Sequence, residues 1–115
     1  MLPARSRMTD AADFRSAMRQ GSRSGRATVV VYVVQTGDAE SMAGFAVSKA
    51  VGGAVMRNRV KRRLRAIMAA LLPTLPHGTA VVIRALPRSA EVDFARLRAD
   101  VTDAVDTARR KAALA

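Results

Sequence analysis

A run of six consecutive apolar residues, from Val29 to Val34, limits the folds that are open to this chain. Most of these residues are β-branched and favour strands, so we predict a strand from Ala27 to Gln35. Side chains alternate between the two faces of a strand, and both faces of this one are therefore apolar. At least one face must pack against helices, which predicts a sheet with helices packed on it.

A first helix is predicted from a short apolar stripe near the start of the chain. The stripe has helical spacing and consists of Phe14, Ala17 and Met18. Thr9 or Asp10 can cap this helix at its start, because their side-chain oxygens accept hydrogen bonds from free backbone N–H groups. Gly21 is the expected helix stop, and residues 22–25 are expected to continue as a loop.

The rest of the chain is predicted as two more strands and two more helices. We expect the second strand to pair with the first as a hairpin, since a turn separates them. The bounds are 36–38 for the turn, 42–49 and 79–84 for the strands, and 54–72 and 91–111 for the helices. The order α-β-β-α-β-α predicts an α/β (α+β) two-layer sandwich, with a sheet of three or four strands. At this length we expect a single domain over residues 1–115.

The formal net charge of +11 is concentrated in the middle of the chain. Residues 41–90 contain nine Lys or Arg and no Asp or Glu, whereas residues 91–115 are balanced. Six of the nine basic residues lie between Arg57 and Arg65. Such a surplus favours a polyanionic partner, either nucleic acid or an acidic membrane surface.

The basic segment lies on the helix predicted over residues 54–72. At 100° per residue its apolar residues fall on one face, namely Met56, Val60, Leu64, Ile67, Met68 and Leu71. Asn58, Lys61, Arg62 and Arg65 point the other way, and Arg57 and Arg63 flank the stripe. An ordinary solvated helix would place acids among these bases to form i,i+4 pairs. Their absence favours a nucleic-acid partner, and we expect neither a membrane nor a DNA partner.

The chain shows no sign of catalytic machinery of its own. It contains no cysteine, which excludes disulfides, thiolate metal sites and a cysteine nucleophile. His77 is the only histidine, and no acid lies in the basic stretch, so neither a catalytic nor a metal site is expected. Neither a signal peptide nor a span of about 20 apolar residues is present, so we expect a cytoplasmic protein.

The central segment resembles the bacterial ribonuclease P protein component. The matching stretches are Gly44 to Lys49 and Val51 to Arg65, with the Arg57-Asn58-Arg59 core followed by an apolar residue and Lys61-Arg62. Flanking matches extend the resemblance over nearly the whole chain; they are Arg7-Met8, Asp13-Phe14, Gly21, Tyr32 and residues 81–85.

This resemblance implies a function and a set of partners. The family protein pairs with a catalytic RNA, and the holoenzyme removes the 5′ leader of precursor tRNA by Mg²⁺-dependent hydrolysis. The family fold is a sandwich with a left-handed βαβ crossover. By resemblance the residues that contact the RNA are Ser48, Lys49, Arg57, Asn58, Arg59, Lys61, Arg62 and Arg65.

The resemblance also implies a cleft that holds the single-stranded leader between the first helix and the sheet. Its matching positions are Phe14, Met18, Val30 and Tyr32, although the sequence alone favours packing in the core for Phe14 and Tyr32. Three residues depart from the family pattern. Met18 stands where an aromatic residue is often found, Ala50 where a second Lys is common, and Gly53 where Asn is common.

Two functions are therefore compatible with the sequence. The first is a protein subunit of a ribonucleoprotein endonuclease that acts on precursor tRNA. The alternative is a non-catalytic RNA-binding protein of the ribosomal type, which the same composition would fit. The Arg-Asn-Arg helix behind a Gly-Gly loop, together with Asp13-Phe14, favours the first.

Overall fold

The computed structural model describes residues 2–3, 6–8, 11–36 and 40–114. They form seven main elements in the order α1-β1-β2-β3-α2-β4-α3. The bounds are Ala11–Gln20 (α1), Ser22–Gly25 (β1), Val29–Gln35 (β2), Met42–Ala46 (β3), Ala54–Leu71 (α2), Thr79–Ala85 (β4) and Phe94–Leu114 (α3). The predicted capping residues Thr9 and Asp10, and two residues of the predicted turn, Gly37 and Asp38, lie outside the described residues.

The four strands form one mixed sheet in the order β1-β2-β4-β3, which confirms the predicted α/β class. The predicted hairpin between β2 and the strand that begins at Met42 is wrong: β4 lies between them, antiparallel to β2 and parallel to β3. Like β2, β4 has apolar residues on both faces, and six of its seven residues are buried, which suits a position at the centre of a sheet. β3 also ends at Ala46 and not at Lys49. It connects to β4 through α2, which makes a βαβ unit.

The hairpin partner of β2 is a strand that the sequence pattern missed. Residues 22–25, predicted as a loop, form β1 and pair antiparallel with Val30–Val33. The turn between them is closed by the N–H of Arg26, which donates to the carbonyl of Val29 at 2.8 Å. For this reason β2 begins at Val29 and not at Ala27. Polar residues are tolerated in β1 because it is a short edge strand.

The two faces of β2 contribute to two different apolar clusters, as its alternation predicted. Val29, Val31 and Val33 pack in the larger cluster with residues of α2 and α3. Val30 and Tyr32 belong to the smaller cluster, together with Val82 of β4 and residues of α1. The sheet therefore has α2 and α3 on one face and α1 on the other.

The helices begin and end within about three residues of the predicted positions, and α3 continues to Leu114 where an end at 111 was predicted. α2 ends at Leu71, and its last turn tightens into a 3₁₀ helix over Leu72–Thr74. α3 begins at Phe94 and not at Glu91, because Asp93 caps it: the N–H of Arg96 donates to Asp93 Oδ1 at 2.8 Å. Gly21 follows α1 as predicted, and its N–H donates to the carbonyl of Ala17 at 2.8 Å.

A buried carboxylate fastens α3 to the β1–β2 turn. Thr28 Oγ1 donates to Asp100 Oδ2 at 2.8 Å, and Arg96 Nε donates to Asp100 Oδ1 at 3.2 Å. Arg96 and Asp100 therefore form an i,i+4 ion pair on α3. Arg109 and Arg110 both pair with Asp106, at 3.6 and 2.8 Å. Asp100 and Asp106 therefore both have partners on α3 or in the turn packed against it.

Candidate nucleic-acid interface

The basic helix α2 is held in place by its apolar stripe. Val60, Leu64, Ile67 and Met68 are buried, and the flanking Met56 and Leu71 are half-buried, as the helical spacing predicted. Burial of this stripe against the sheet leaves the opposite side of the helix facing solvent. The side chains that face outward are thereby fixed along a rigid element.

The outward side of α2 forms a continuous cationic surface. Asn58, Arg59 and Arg62 are exposed, and Lys61 and Arg65 are half-buried. A shallow hollow on this side is lined by Val55, Asn58, Lys61, Arg62 and Arg65. We call these five side chains, together with that of Arg59, the α2 surface. Since residues 41–90 contain no acid, nothing on its own helix neutralises this surface.

Arg57 and Arg63, at the edges of the stripe, are half-buried, as we predicted. Arg63 Nη1 donates to the carbonyl of Val92 at 3.0 Å, so Arg63 links α2 to the segment before α3. Arg57 Nε is buried and has no hydrogen-bond partner among the described residues.

The loop that leads into α2 extends the α2 surface. Ser48 and Lys49 are exposed, and two backbone bonds shape the turn: the N–H of Val51 donates to Ser48 and that of Gly52 to Lys49. Gly52 has a φ of 154°, which favours glycine. Gly53 caps α2 without a side-chain hydrogen bond. The first turn of α2 therefore has free N–H groups, which attract phosphate.

The four residues predicted to line a leader cleft come together in the smaller cluster, between α1 and the sheet. They differ in exposure: Phe14 and Met18 are half-buried, whereas Val30 and Tyr32 are only 4 % and 8 % exposed. Val30 and Tyr32 thus pack as core, and Phe14 and Met18 offer most of the accessible area. Phe14 lies against Gly44, where an added Cβ would come within 2.7 Å of the ring.

Two exposed residues of this region were missed by the sequence analysis. Val55 in the first turn of α2 is 86 % exposed, among the cations. Arg84 is exposed in β4, and every other residue of that strand is buried. The alternation of β4 assigns Arg84 to the face of Val82, but a lone base becomes conspicuous only once the strand around it is known to be central and buried.

The acid and histidine side chains are dispersed over the part of the chain that the structure describes. Within it, no three His, Asp or Glu side chains are grouped so that they could share a metal ion. His77 is exposed, and its carbonyl accepts a hydrogen bond from Gln35 Nε2 at 2.6 Å. Across these same ranges, no helix has both the length and the apolar character needed to cross a bilayer.

Comparison with known sequences gives a consistent family. Residues 2–109 match the sequence profile of the family described as "Ribonuclease P". A ribonuclease P protein component from Kocuria rhizophila is 48 % identical over 113 residues, which cover 98 % of this chain and 100 % of the relative. One from Streptomyces bikiniensis is 44 % identical over 115 residues, covering 91 % of this chain and 93 % of the relative.

Solved structures show the same fold. The RNase P protein of Staphylococcus aureus superposes with a TM-score of 0.80 at 21 % identity, covering 90 % of this chain and 94 % of that one. The RNase P protein of Thermotoga maritima gives a TM-score of 0.75 at 25 % identity, with 90 % and 96 % covered. The arrangement of α2 and the mixed sheet is therefore shared with these proteins.

Proposed function

The chain belongs to the ribonuclease P protein family, and from this premise we propose that its α2 surface binds the catalytic RNA of the holoenzyme. Family membership makes it the protein component of the ribonucleoprotein that matures the 5′ end of tRNA, in which the RNA carries out the chemistry. Its partners are therefore ribonuclease P RNA and precursor tRNA in general. The positions of individual residues let us propose which surface of the protein contacts each partner.

One observation carries the assignment of the α2 surface: six cations lie between Arg57 and Arg65 with no acid between residues 41 and 90. We propose that Ser48, Lys49, Arg57, Asn58, Arg59, Lys61, Arg62 and Arg65 contact the RNA. Arg guanidinium groups bind phosphate through two parallel hydrogen bonds. The free N–H groups in the first turn of α2, which follows Gly53, would add to this site. The contribution of the protein is to neutralise phosphate repulsion and to hold the RNA in register.

The comparisons do not support the alternative of a ribosomal-type RNA-binding protein. It rested on composition alone, whereas the family profile and the relatives all carry the ribonuclease P description over nearly the full chain. We propose further that residues 1–115 act as one RNA-binding domain, since both apolar clusters are built on the same sheet.

For the leader we propose the cleft between α1 and the sheet. Phe14 and Met18 would contact the bases, and the buried Val30 and Tyr32 would form the floor that supports them. Base–aromatic stacking tolerates any sequence, which suits a leader that varies between precursors. Met18 is flexible and polarizable and can pack against a base without stacking on it.

We propose that the Mg²⁺ of the holoenzyme is bound with the RNA. The described residues offer no group of three carboxylate or imidazole ligands for it, so they do not fit a resident metal site. No step of the reaction is therefore assigned to a metal ion held by the protein.

Replacing Phe14 with alanine should reduce the preference of the holoenzyme for precursor tRNA over mature tRNA. The expected loss is about fivefold, at the low end of the range for a stacking contact because Phe14 is only half-exposed. The measurement is the ratio of the two dissociation constants, with thermal unfolding as the control for folding. An equal loss for both tRNAs would mean that Phe14 serves packing alone.

The same ratio tests the cleft as a whole. With wild-type protein, the holoenzyme should bind leader-bearing tRNA more tightly than mature tRNA, and the catalytic RNA alone should discriminate less. If the protein leaves this ratio unchanged, the leader does not lie in the cleft.

A further inference from the structure

Arg84 is an exposed cation on an interior strand of the sheet, β4. The six other residues of β4 are buried, and β4 is flanked on both sides by other strands. Among the described residues, no hydrogen bond or ion pair to the Arg84 side chain is present, and the nearest acids before and after it in the sequence are Glu40 and Glu91. No side chain among the described residues therefore compensates the charge of Arg84.

The strand register places Arg84 on the face of the sheet that bears α1. Ala80 and Val82 belong to the cluster under α1, and Arg84 continues their alternation. Its neighbours across the sheet are Val30 on β2 and Ala46 on β3. Directly opposite residues have Cβ atoms about 5 Å apart, so Arg84 stands beside Val30 in the floor of the proposed cleft.

The same register places Arg84 next to the loop that precedes α2. Ala46 is the last residue of β3, and Ser48 and Lys49 follow two and three residues later. β3 and β4 run parallel, so Arg84 lies near the end of the sheet from which this loop departs. It is thus located between the cleft and the loop that extends the α2 surface.

A second exposed cation flanks the cleft on its other side. Arg23 of β1 lies directly opposite Tyr32 in the register. β1 and β4 are two strand spacings apart, and the two arginines are offset by two residues along β2. Their backbones are therefore about 12 Å from each other. Arg23 and Arg84 give the cleft a cation on each side of β2.

We propose that Arg84 binds the phosphate backbone of the leader where the leader passes from the cleft toward the α2 surface. This inference rests on the proposed leader site. A guanidinium group has the planar geometry that pairs with two phosphate oxygens, and it stays charged at any physiological pH. A contact to the backbone carries no base preference, which matches a substrate whose leader sequence varies.

A purely structural role for Arg84 would use its aliphatic stem to cover Val30. Two variants separate the roles: Arg84→Met retains the stem without the charge, and Arg84→Lys retains the charge without the planar fork. Arg98→Met is the matched control, because Arg98 is exposed on α3 and forms no ion pair with a described residue.

The experiment measures dissociation constants of the reconstituted holoenzyme for precursor and mature tRNA across a range of salt. Arg84→Met should weaken precursor binding by about three- to tenfold and lower its log–log salt slope by about 0.7, the value for one phosphate contact in a single strand. Mature tRNA should bind as to wild type. Arg84→Lys should show a smaller loss, and Arg98→Met none.

Three results would overturn the inference: wild-type behaviour of Arg84→Met, an equal loss for precursor and mature tRNA, or weaker binding of the catalytic RNA itself. Weaker binding of the catalytic RNA would mean that Arg84 contacts this RNA together with the α2 surface. A precursor with an uncharged methylphosphonate leader should abolish the difference between Arg84→Met and wild type. If the wild-type protein gives no leader preference at all, the proposed cleft fails first, and this outcome is distinct from a failure at Arg84 alone.

Discussion

Replacing Arg59 and Arg62 together with alanine should weaken binding of the catalytic RNA by about 10- to 100-fold at physiological salt. Both side chains are exposed on α2, so their removal leaves the core intact. Each contact with a phosphate releases condensed counterions, and two lost contacts should lower the log–log salt slope by up to about two units. The measurement is a titration of the RNA with protein at several salt concentrations.

The control for this pair is the double variant Arg98→Ala and Arg110→Ala. Both arginines are exposed on α3, so the variant has the same net charge without altering the α2 surface. It should bind with a nearly wild-type slope, because distant charges are screened at physiological salt. Equal weakening by both double variants would mean that general charge, and no defined surface, determines binding.

Replacing Leu64 with alanine should lower the free energy of unfolding by about 3 kcal/mol. Leu64 is fully buried in α2 and packs in the larger apolar cluster against the sheet and α3. The truncation removes apolar contacts and leaves a cavity that the surrounding strands cannot fill. For a domain of this size the melting temperature should fall by about 10 °C.

The matched control lies on the same helix. Val55 is also apolar, but it is 86 % exposed, so Val55→Ala should change the free energy of unfolding by less than about 0.5 kcal/mol. Chemical denaturation of both variants gives the comparison. A small effect of Leu64→Ala would contradict the packing of the apolar stripe of α2 against the sheet.

Much of the fold could be predicted because it depends on local periodicity. The stripe from Val60 to Met68 repeats with helical spacing, so α2 and its buried side follow from the sequence. The alternation in β2 likewise predicted two apolar faces, and each packs in its own cluster. The grouping of the cations on one side of α2 follows from the same periodicity.

Strand pairing could not be obtained in this way. The sequence predicted β3 beside β2, because only a turn separates the two strands in the chain. In the structure β4 lies beside β2, although it begins 33 residues after the end of β3. Nothing local to Met42 contains this information, since it depends on which strands can be buried on both faces. β1 was missed for a related reason: Ser22–Gly25 has little β propensity and is ordered by its backbone pairing with β2.

The candidate site was predicted unevenly. The resemblance identified Phe14, Met18, Val30 and Tyr32 as one group, and they do cluster. Their different exposures, however, depend on how closely α1 approaches the sheet, which Gly44 permits. Arg84 escaped notice because a lone base carries meaning only once the strand around it is known to be central and buried.

The most direct test of the account is reconstituted cleavage of precursor tRNA by the catalytic RNA at low Mg²⁺, with and without this protein. We expect the wild-type protein and Arg98→Ala to stimulate cleavage strongly, and the Arg59→Ala, Arg62→Ala double variant to need much more protein for the same rate. Equal cleavage with and without the wild-type protein would contradict its role as the protein subunit that supports the RNA.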